Sequence, residues 1–357
     1  MRENPPSVTI VVTPRERFSY TQASLDSLYK ETTVPFDLVY VDGNSPANER
    51  RYIQEQSKEK GFKLIRTDYY LWPQRARNLG LAEVRTPYVV FVDNDVVVKA
   101  GWLRSLLDCA ETTGATVVGP LMCHEEPIHE IVHFAGGESH IVQDIKGRRH
   151  LREKMYLQGK AVEAVLPTLK QCETELCEFH CALIRTDVFD ELGNFDDSIL
   201  NTKEHLDFCM NVMALGRTVY FEPDSVVTYV PGPPLAWRDL HFYMLRWSNA
   251  WELNSLARLQ EKWNLCEDGY FKHKYKALGW RRRDAILQPL LDKLGLKNRR
   301  SFLNKLLMFG LLVPVETTIN RLMTWHYARQ HLQAPIDKPA AIPSTISSTA
   351  SQPVASQ

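Results

Sequence analysis

YVVFVDND (residues 88–95) sets two aspartates and an asparagine directly behind a five-residue apolar run. Tyr88 to Val92 is short, rich in β-branched residues and free of polar interruption, the pattern of a strand buried on both faces. Such strands belong to α/β sheets, whose ligands bind outside the carboxyl ends of the strands. Asp93, Asn94 and Asp95 therefore have two readings. They form a turn, because Asp and Asn bond their own backbone, or they form a metal or phosphate site. The surrounding chain has to decide.

Working outward, the first third alternates strand and helix. Residues 7–12, 36–41, 62–67 and 115–120 have strand character, and residues 20–30, 48–60, 74–83 and 102–112 have helical spacing. Short links between such units predict an α/β fold with a central, mostly parallel sheet covered by helices on both faces. The middle third is less regular. Residues 128–142 alternate weakly, 179–184 and 218–221 and 226–230 read as strands, and 204–215 reads as a helix stopped by Gly216. Past the PGPP stretch at 231–234 the chain becomes helical and rich in Trp and Leu. The expected division is a sheet domain over 1–235, a helical extension over 236–333 and a disordered tail over 334–357.

Composition narrows the classes of partner. The chain has 357 residues, 44% hydrophobic and 24% charged, enough for about two globular domains. Lys+Arg and Asp+Glu both number 43, so net charge gives no reason to expect nucleic acid. Seven cysteines without framework spacing and no signal-peptide pattern at the start point to a cytoplasmic location. The apolar run at 306–315 is too short to span a bilayer.

Two strand ends carry acid: VDGNS (residues 41–45) and VDNDV (residues 92–96). On one edge of a parallel sheet, Asp42, Asp93 and Asp95 would share a crevice. Carboxylates that face one another need a cation or hydrogen-bond donors. Hard oxygen ligands suit Mg²⁺ or Mn²⁺, which bind through one or two carboxylates and the phosphates of a substrate.

Six segments in order then resemble the family-two glycosyltransferases of the GT-A fold. SVTIVVTP, ending at Thr13, resembles the opening strand; VDGNS resembles the nucleotide-binding "VDDGS" loop; QRARNLGL (74–81) resembles the "ARN.G" helix. VDNDV followed by WLRSLL resembles the D-x-D motif and its helix, LGNFDDSI (192–199) the "GGFDE" segment, and EHLDFCMNVMALG (204–216) the "EDxDL" segment. The resemblance implies a metal-dependent, inverting transfer of a sugar from a nucleotide-diphosphate donor to an acceptor hydroxyl, in polysaccharide or glycoconjugate synthesis. The acceptor would be a carbohydrate or a lipid-linked one.

Carried onto this sequence, the resemblance places Thr13, Glu16, Asp42, Arg77, Asn78, Asp93 and Asn94 around the donor nucleotide-sugar. Asp95, with Asp93, would hold Mg²⁺ or Mn²⁺. His180 would lie on the acceptor side. The acidic pair that takes the acceptor proton appears here as Glu204-His205. Glu204 is the first choice for the base, with Asp207, one helical turn on, and His205 as alternatives; helix capping is the plain reading of Glu204. Tyr229 stands where relatives place a metal-binding histidine, and the PRER loop (14–17) replaces their "YNE". Glu204-His205 and Tyr229 motivate a second reading, a sugar-nucleotide-binding scaffold without turnover. A nucleotidyltransferase of related fold is a third.

Other features have plainer readings. HEIVH (129–133) is a literal H-E-x-x-H, but Pro127 before it and Gly136-Gly137 after it leave little room for a helix, so zinc chemistry is not expected. Cys172, Cys177, His180 and Cys181 match no zinc spacing. Trp237, Trp247, Trp251 and Trp263 read mostly as core. Basic segments at 272–283 and 297–305 beside the apolar run read as a one-face-buried helix, or as peripheral attachment to the inner face of an anionic membrane.

Overall fold

A computed structural model describes residues 7–230 and 235–332. The tail expected over 334–357 lies outside the described residues. The strands are β1 (Val8–Thr13), β2 (Asp37–Gly43), β3 (Lys63–Thr67), β4 (Tyr88–Asp93), β5 (Val96–Val98), β6 (Val117–His124), β7 (Val132–Phe134), β8 (Gly137–Gln143), β9 (Arg149–Met155), β10 (Cys172–Thr174), β11 (Cys181–Arg185) and β12 (Val219–Tyr229). One sheet runs β10-β12-β6-β11-β4-β1-β2-β3, with β5 on β12 and β7 on β6; β8 and β9 pair separately.

The first four strands are parallel, as strand–helix alternation predicts. β11 enters antiparallel between β4 and β6, so the sheet is mixed. The reason lies in the connection. β6 is followed by β7 and the β8–β9 hairpin rather than by a crossover helix, and only a crossover returns the chain in parallel. The two apolar runs at 218–221 and 226–230 are one strand, β12, whose register shifts between Glu222 and Val226. β9, of sequence RHLREKM, carries no apolar alternation and gives no strand signal.

Alternation along β4 divides the core. Val90 and Val92 join one cluster, with Leu25, Leu28, Trp102 and Leu106 from helices Thr21–Glu31 and Trp102–Thr113. Val89 and Phe91 join the other, with Ala76, Phe179, Phe195 and Phe208. Period-two side chains thus place two helical layers on opposite faces. Helix Pro73–Leu81 presses hard on the sheet, since a Cβ at Gly80 would stand 2.2 Å from Val11 Cγ1. That close approach explains the glycine of the ARNLG stretch.

The helical extension begins with two helices, Leu240–Arg246 and Asn249–Lys262, broken where Ser248 caps the second by accepting from Trp251 N. Trp247 and Trp251 are buried as expected, whereas Trp237 is 86% exposed. Trp251 and Tyr327 pack with Trp72 and Leu200, and Ser255 Oγ accepts from Asn201 N at 2.9 Å, fastening the extension to the sheet domain. One correction concerns the C-terminus. Helix Phe302–His331 has a mean hydropathy of 1.4 over 18 residues and is long and apolar enough, by length and composition, to cross a bilayer. Counting only the uninterrupted run at 306–315 missed it, because that run stops at the single charges Lys305 and Glu316 while the helix continues past both.

Candidate active site

A cavity of ≈ 600 Å³ opens between the carboxyl edge of the sheet and the helical extension. Arg15, Glu16, His133, His180, Glu204 and Tyr229 are among the residues lining it. The lining comes from the loop after β1, from β7, β9 and β12, from the turn before β11, from the start of helix Glu204–Ala214 and from the helical extension; the end of β4 meets it through the contacts of Asp93 with Arg15 and His180.

Asp93 closes β4 and is held from every side. Thr13 Oγ1 donates to its Oδ1 at 3.1 Å, His180 Nδ1 lies 3.0 Å from its Oδ2, and Arg15 Nε lies 3.4 Å from the same oxygen. Two residues on, Asp95 is fully buried and neither carboxylate oxygen has a hydrogen-bond partner among the described residues. Burial, and then the charges of Glu16 and Asp93, push its carboxyl well above the usual range. Glu16 stands beside it with Oε1 also unpartnered, and Tyr229 OH donates to its Oε2 at 3.2 Å. Burial disfavours charge on Glu16, but Arg15 and Arg246 outweigh it and hold this carboxyl below the usual range.

The loop PRER explains how so much acid is tolerated: it brings Arg15 to within 3.6 Å of Glu16 and 3.4 Å of Asp93. Asn94 fixes that loop, accepting from Arg15 N at 2.6 Å and donating to Thr21 Oγ1 at 3.1 Å. Asn94 therefore holds the loop shape and faces the protein.

Arg77 is wholly buried over the ring of Phe179. Its guanidinium donates to Gln74 Oε1 and to Phe179 O, and it lies 3.7 Å from both Asp93 and Glu204. Glu204 begins its helix behind Lys203, whose φ of +74° is unusual for a residue with a side chain. Glu204 Oε2 has no hydrogen-bond partner among the described residues, and His205 Nδ1 lies 4.0 Å from it. Asp207 points elsewhere. Its oxygens accept from Lys262 Nζ and Trp263 Nε1, both at 2.8 Å, tying helix Asn249–Lys262 down. The sequence makes Glu204 the first choice, with Asp207 and His205 as alternatives; of the three, Glu204 and His205 line the cavity and Asp207 does not.

Two further candidates lie apart. Asp42 accepts from Ser45 N at 2.8 Å and pairs with Arg66, and β1 separates it from Asp93, so the three aspartates do not share one crevice. Asn78 bonds the 195–197 segment, donating to Phe195 O at 3.0 Å and to Asp197 Oδ1 at 2.8 Å. His180 does reach the cavity, stacked on Tyr229. Within HEIVH, His129 sits in a turn at φ +67° and Val132–Phe134 is a strand, so the two histidines share no helical face. Cys177 and Cys181 belong to different core clusters.

Sequence reading missed Arg246. It is fully buried on helix Leu240–Arg246, and all three guanidinium nitrogens lack a hydrogen-bond partner among the described residues. Burial and then Arg15 lower it to about 10, against the pull of Glu16, Glu204 and Asp93. His133, from the discarded zinc pattern, was also missed; it lines the cavity against Tyr229. No local signal marks Arg246, because its acidic surroundings come from distant parts of the chain.

Chemically, the site offers two unmatched elements. Asp95 with Glu16 is an oxygen set suited to a hard divalent cation. Arg246 is a buried cation in want of oxygen acceptors.

A profile of glycosyl transferase family 2 matches residues 8–193. The pre-mycofactocin glycosyltransferase of Mycobacterium tuberculosis is 25% identical over 157 residues, covering 44% of this chain and 30% of that protein. The teichoic acid poly(glycerol phosphate) polymerase of Staphylococcus epidermidis is 32% identical over 90 residues, covering 25% of this chain and 12% of that one. The chain thus spans less than a third of the length of these curated relatives. Among solved structures, GalNAc-T7 with UDP, GalNAc and Mn²⁺ is 17% identical with a TM-score of 0.48, covering 78% of this chain and 58% of its own. S. aureus TarS is 16% identical with a TM-score of 0.46, covering 92% and 49%.

Proposed function

We propose, for a chain that belongs to glycosyl transferase family 2, that the cavity transfers a hexose from a nucleotide-diphosphate sugar to an acceptor hydroxyl with inversion at the anomeric carbon. The observation that carries this reading is the pair of buried ionisable side chains without hydrogen-bond partners among the described residues, Asp95 and Arg246. A metal-bound diphosphate supplies what both lack: a cation for the carboxylate, and phosphate oxygens for the guanidinium.

In this reading Asp95 and Asp93 hold Mg²⁺ or Mn²⁺, with Glu16 at its side. The ion, when bound, stabilises the negative charge that grows on the departing diphosphate. Arg246 neutralises the same charge from the protein side. Asp42, with Arg66 and Ser45, receives the nucleoside end. The acceptor enters beside His180 and His205. Glu204 takes the hydroxyl proton as the oxygen bonds to the anomeric carbon, while the bond from that carbon to the diphosphate oxygen breaks and the nucleoside diphosphate leaves. Arg77, 3.7 Å from Glu204 and from Asp93, keeps base and donor site in fixed relation.

Thermal melting with UDP, GDP, TDP and CMP, each with and without Mn²⁺, tests the donor half. A diphosphate at about 100 times its Kd adds about 2.7 kcal/mol. One nucleotide is expected to stabilise the wild type only with metal, and Asp95→Ala not at all. If no nucleotide shifts the melt under any condition, the reading fails. Carbohydrate or lipid-linked acceptors are then screened with the nucleotide so identified.

A further inference from the structure

The long C-terminal helix is built inside out. Its inward stripe follows an every-fourth-residue spacing through Asn304, Met308, Leu312, Glu316, Asn320 and Thr324, and four of these six are polar. Each polar one is satisfied. Asn304 Nδ2 donates to Leu296 O at 2.7 Å, Arg282 Nε to Glu316 at 2.6 Å, Asn320 Nδ2 to Met244 O at 2.7 Å, and Thr324 Oγ1 to Asn320 O at 2.8 Å. The apolar side chains face out: Phe302 is 81% exposed, and Leu306, Phe309, Ile319, Leu322 and Trp325 are about half exposed or more. Only 17% of its most apolar 18-residue window is buried. A helix on a water-exposed protein surface shows the reverse arrangement.

The backbone keeps this outer face together. Over Met308–Leu312 the helix widens to a π turn. Such a turn inserts one residue and rotates the later turns of the helix by about 100°. It thereby swings Ile319, Leu322 and Trp325 back toward the side already held by Phe302, Leu306 and Phe309. Trp237 extends the same apolar surface along a groove it shares with Leu290, Val315 and Ile319.

Charge identifies the occupant. Lys293, Lys297, Arg300, Lys305, Arg321 and Arg329 are exposed along this segment. Between residues 293 and 332 the single acidic residue is Glu316, buried and taken by Arg282. A second copy of the chain would bring like charges together with no carboxylate to meet them. Spanning a bilayer is also disfavoured, because Glu316 and Asn320 of the polar stripe are hydrogen-bonded to Arg282 and Met244 in the body of the protein. We propose that this face lies flat on a lipid bilayer whose headgroups are anionic, apolar side chains in the interface and cations among the phosphates. Asp284 and Ala285 line the cavity and Ile286 and Leu287 line the apolar groove, so one helix separates the two. Presentation of a lipid-borne acceptor to the cavity rests on the transferase reading above; the docking itself does not.

The test is sedimentation of the full chain with phosphatidylcholine vesicles, with and without phosphatidylglycerol, in the absence of nucleotide. Binding is expected with phosphatidylglycerol, about tenfold weaker without it, and weakened by salt. The double variant Phe309→Glu with Leu322→Glu is expected to lose binding while keeping the wild-type melting curve and its nucleotide response. Lys297→Glu with Arg300→Glu is expected to lose the preference for phosphatidylglycerol, and carries the test if the first variant does not fold. The proposal is overturned if the wild type stays in solution with both vesicle types, if the variants bind like the wild type, or if light scattering shows a dimer that Leu322→Glu splits with no vesicle binding. Failure of the transferase reading would show separately, as a melt unmoved by any nucleotide.

Discussion

His180 stacks on Tyr229 with ring centroids 3.8 Å apart and planes tilted by 19°. Each ring also hands a polar atom to the acidic cluster, His180 Nδ1 toward Asp93 and Tyr229 OH toward Glu16. The tyrosine that departs from the family pattern thus has a place as a donor to a carboxylate. Tyr229→Phe keeps the stack and removes that hydroxyl. It is expected to lower stability by about 1 kcal/mol and to weaken metal-dependent nucleotide binding more than metal-free binding. Isothermal titration with and without Mn²⁺ would show it; equal effects on both would count against a metal at Glu16 and Asp95.

Asp95→Asn separates stability from function. The aspartate is buried without a partner and pays desolvation in the ligand-free protein. The amide removes a charge that burial opposes, so the unliganded Tm is expected to hold or rise. The metal-dependent stabilisation by nucleotide is expected to vanish with it. A fall in the unliganded Tm would mean that Asp95 has a structural partner.

Glu204 and Asp207 are distinguished by paired substitutions. Glu204→Gln is expected to keep donor binding and lose transfer by about 10²- to 10⁴-fold, the usual contribution of a general base. Asp207→Asn leaves Lys262 and Trp263 with a weaker acceptor and is expected to cost about 1–3 kcal/mol of stability, with kcat largely retained. The reverse pattern would move the base to Asp207.

Acid should unfold the protein partly through His133. Burial first, then repulsion from His124, Arg281 and Arg15, lower it to about 4, against the pull of Glu178. The unfolded chain therefore takes up this proton before the folded one does. The stabilisation is complete above about pH 6.5 and is lost as pH falls toward about 4, amounting to ~3 kcal/mol at most. His133→Phe is expected to flatten the fall in Tm between pH 7 and pH 5.

Gly80→Ala tests the packing of helix Pro73–Leu81 on β1. Its methyl would meet Val11 Cγ1 at 2.2 Å and Val41 Cγ2 at 3.3 Å. Overpacking of this kind costs about 1–3 kcal/mol, which chemical denaturation would read directly.

How much of this was legible in the sequence depended on range. β1 to β4 and their helices were readable because each carries its own periodicity and burial on both faces. β9 was not, because Leu151 is its one buried side chain, and a single inward apolar residue makes no alternation. The strand-end acids were visible as a pattern, but their states were not. Asp93 is satisfied, Asp95 is not, and the difference comes from Thr13, Arg15 and His180, up to 87 residues away. Glu204 and Asp207 share a helix, and what separates them is Lys262 and Trp263 on another. Arg246 gave no signal at all, since its meaning comes wholly from the acids gathered around it.

The strand order has a consequence for ligand length. β1 lies between β2, which carries Asp42, and β4, which carries Asp93. Two inter-strand steps put the chains at these ends about 10 Å apart. A molecule that engages both must lie stretched across the tip of β1, nucleoside at one end and diphosphate at the other. A sugar phosphate or free diphosphate can satisfy only one end. On the proposed transferase reading, the sheet is in that sense a ruler set to the length of the donor.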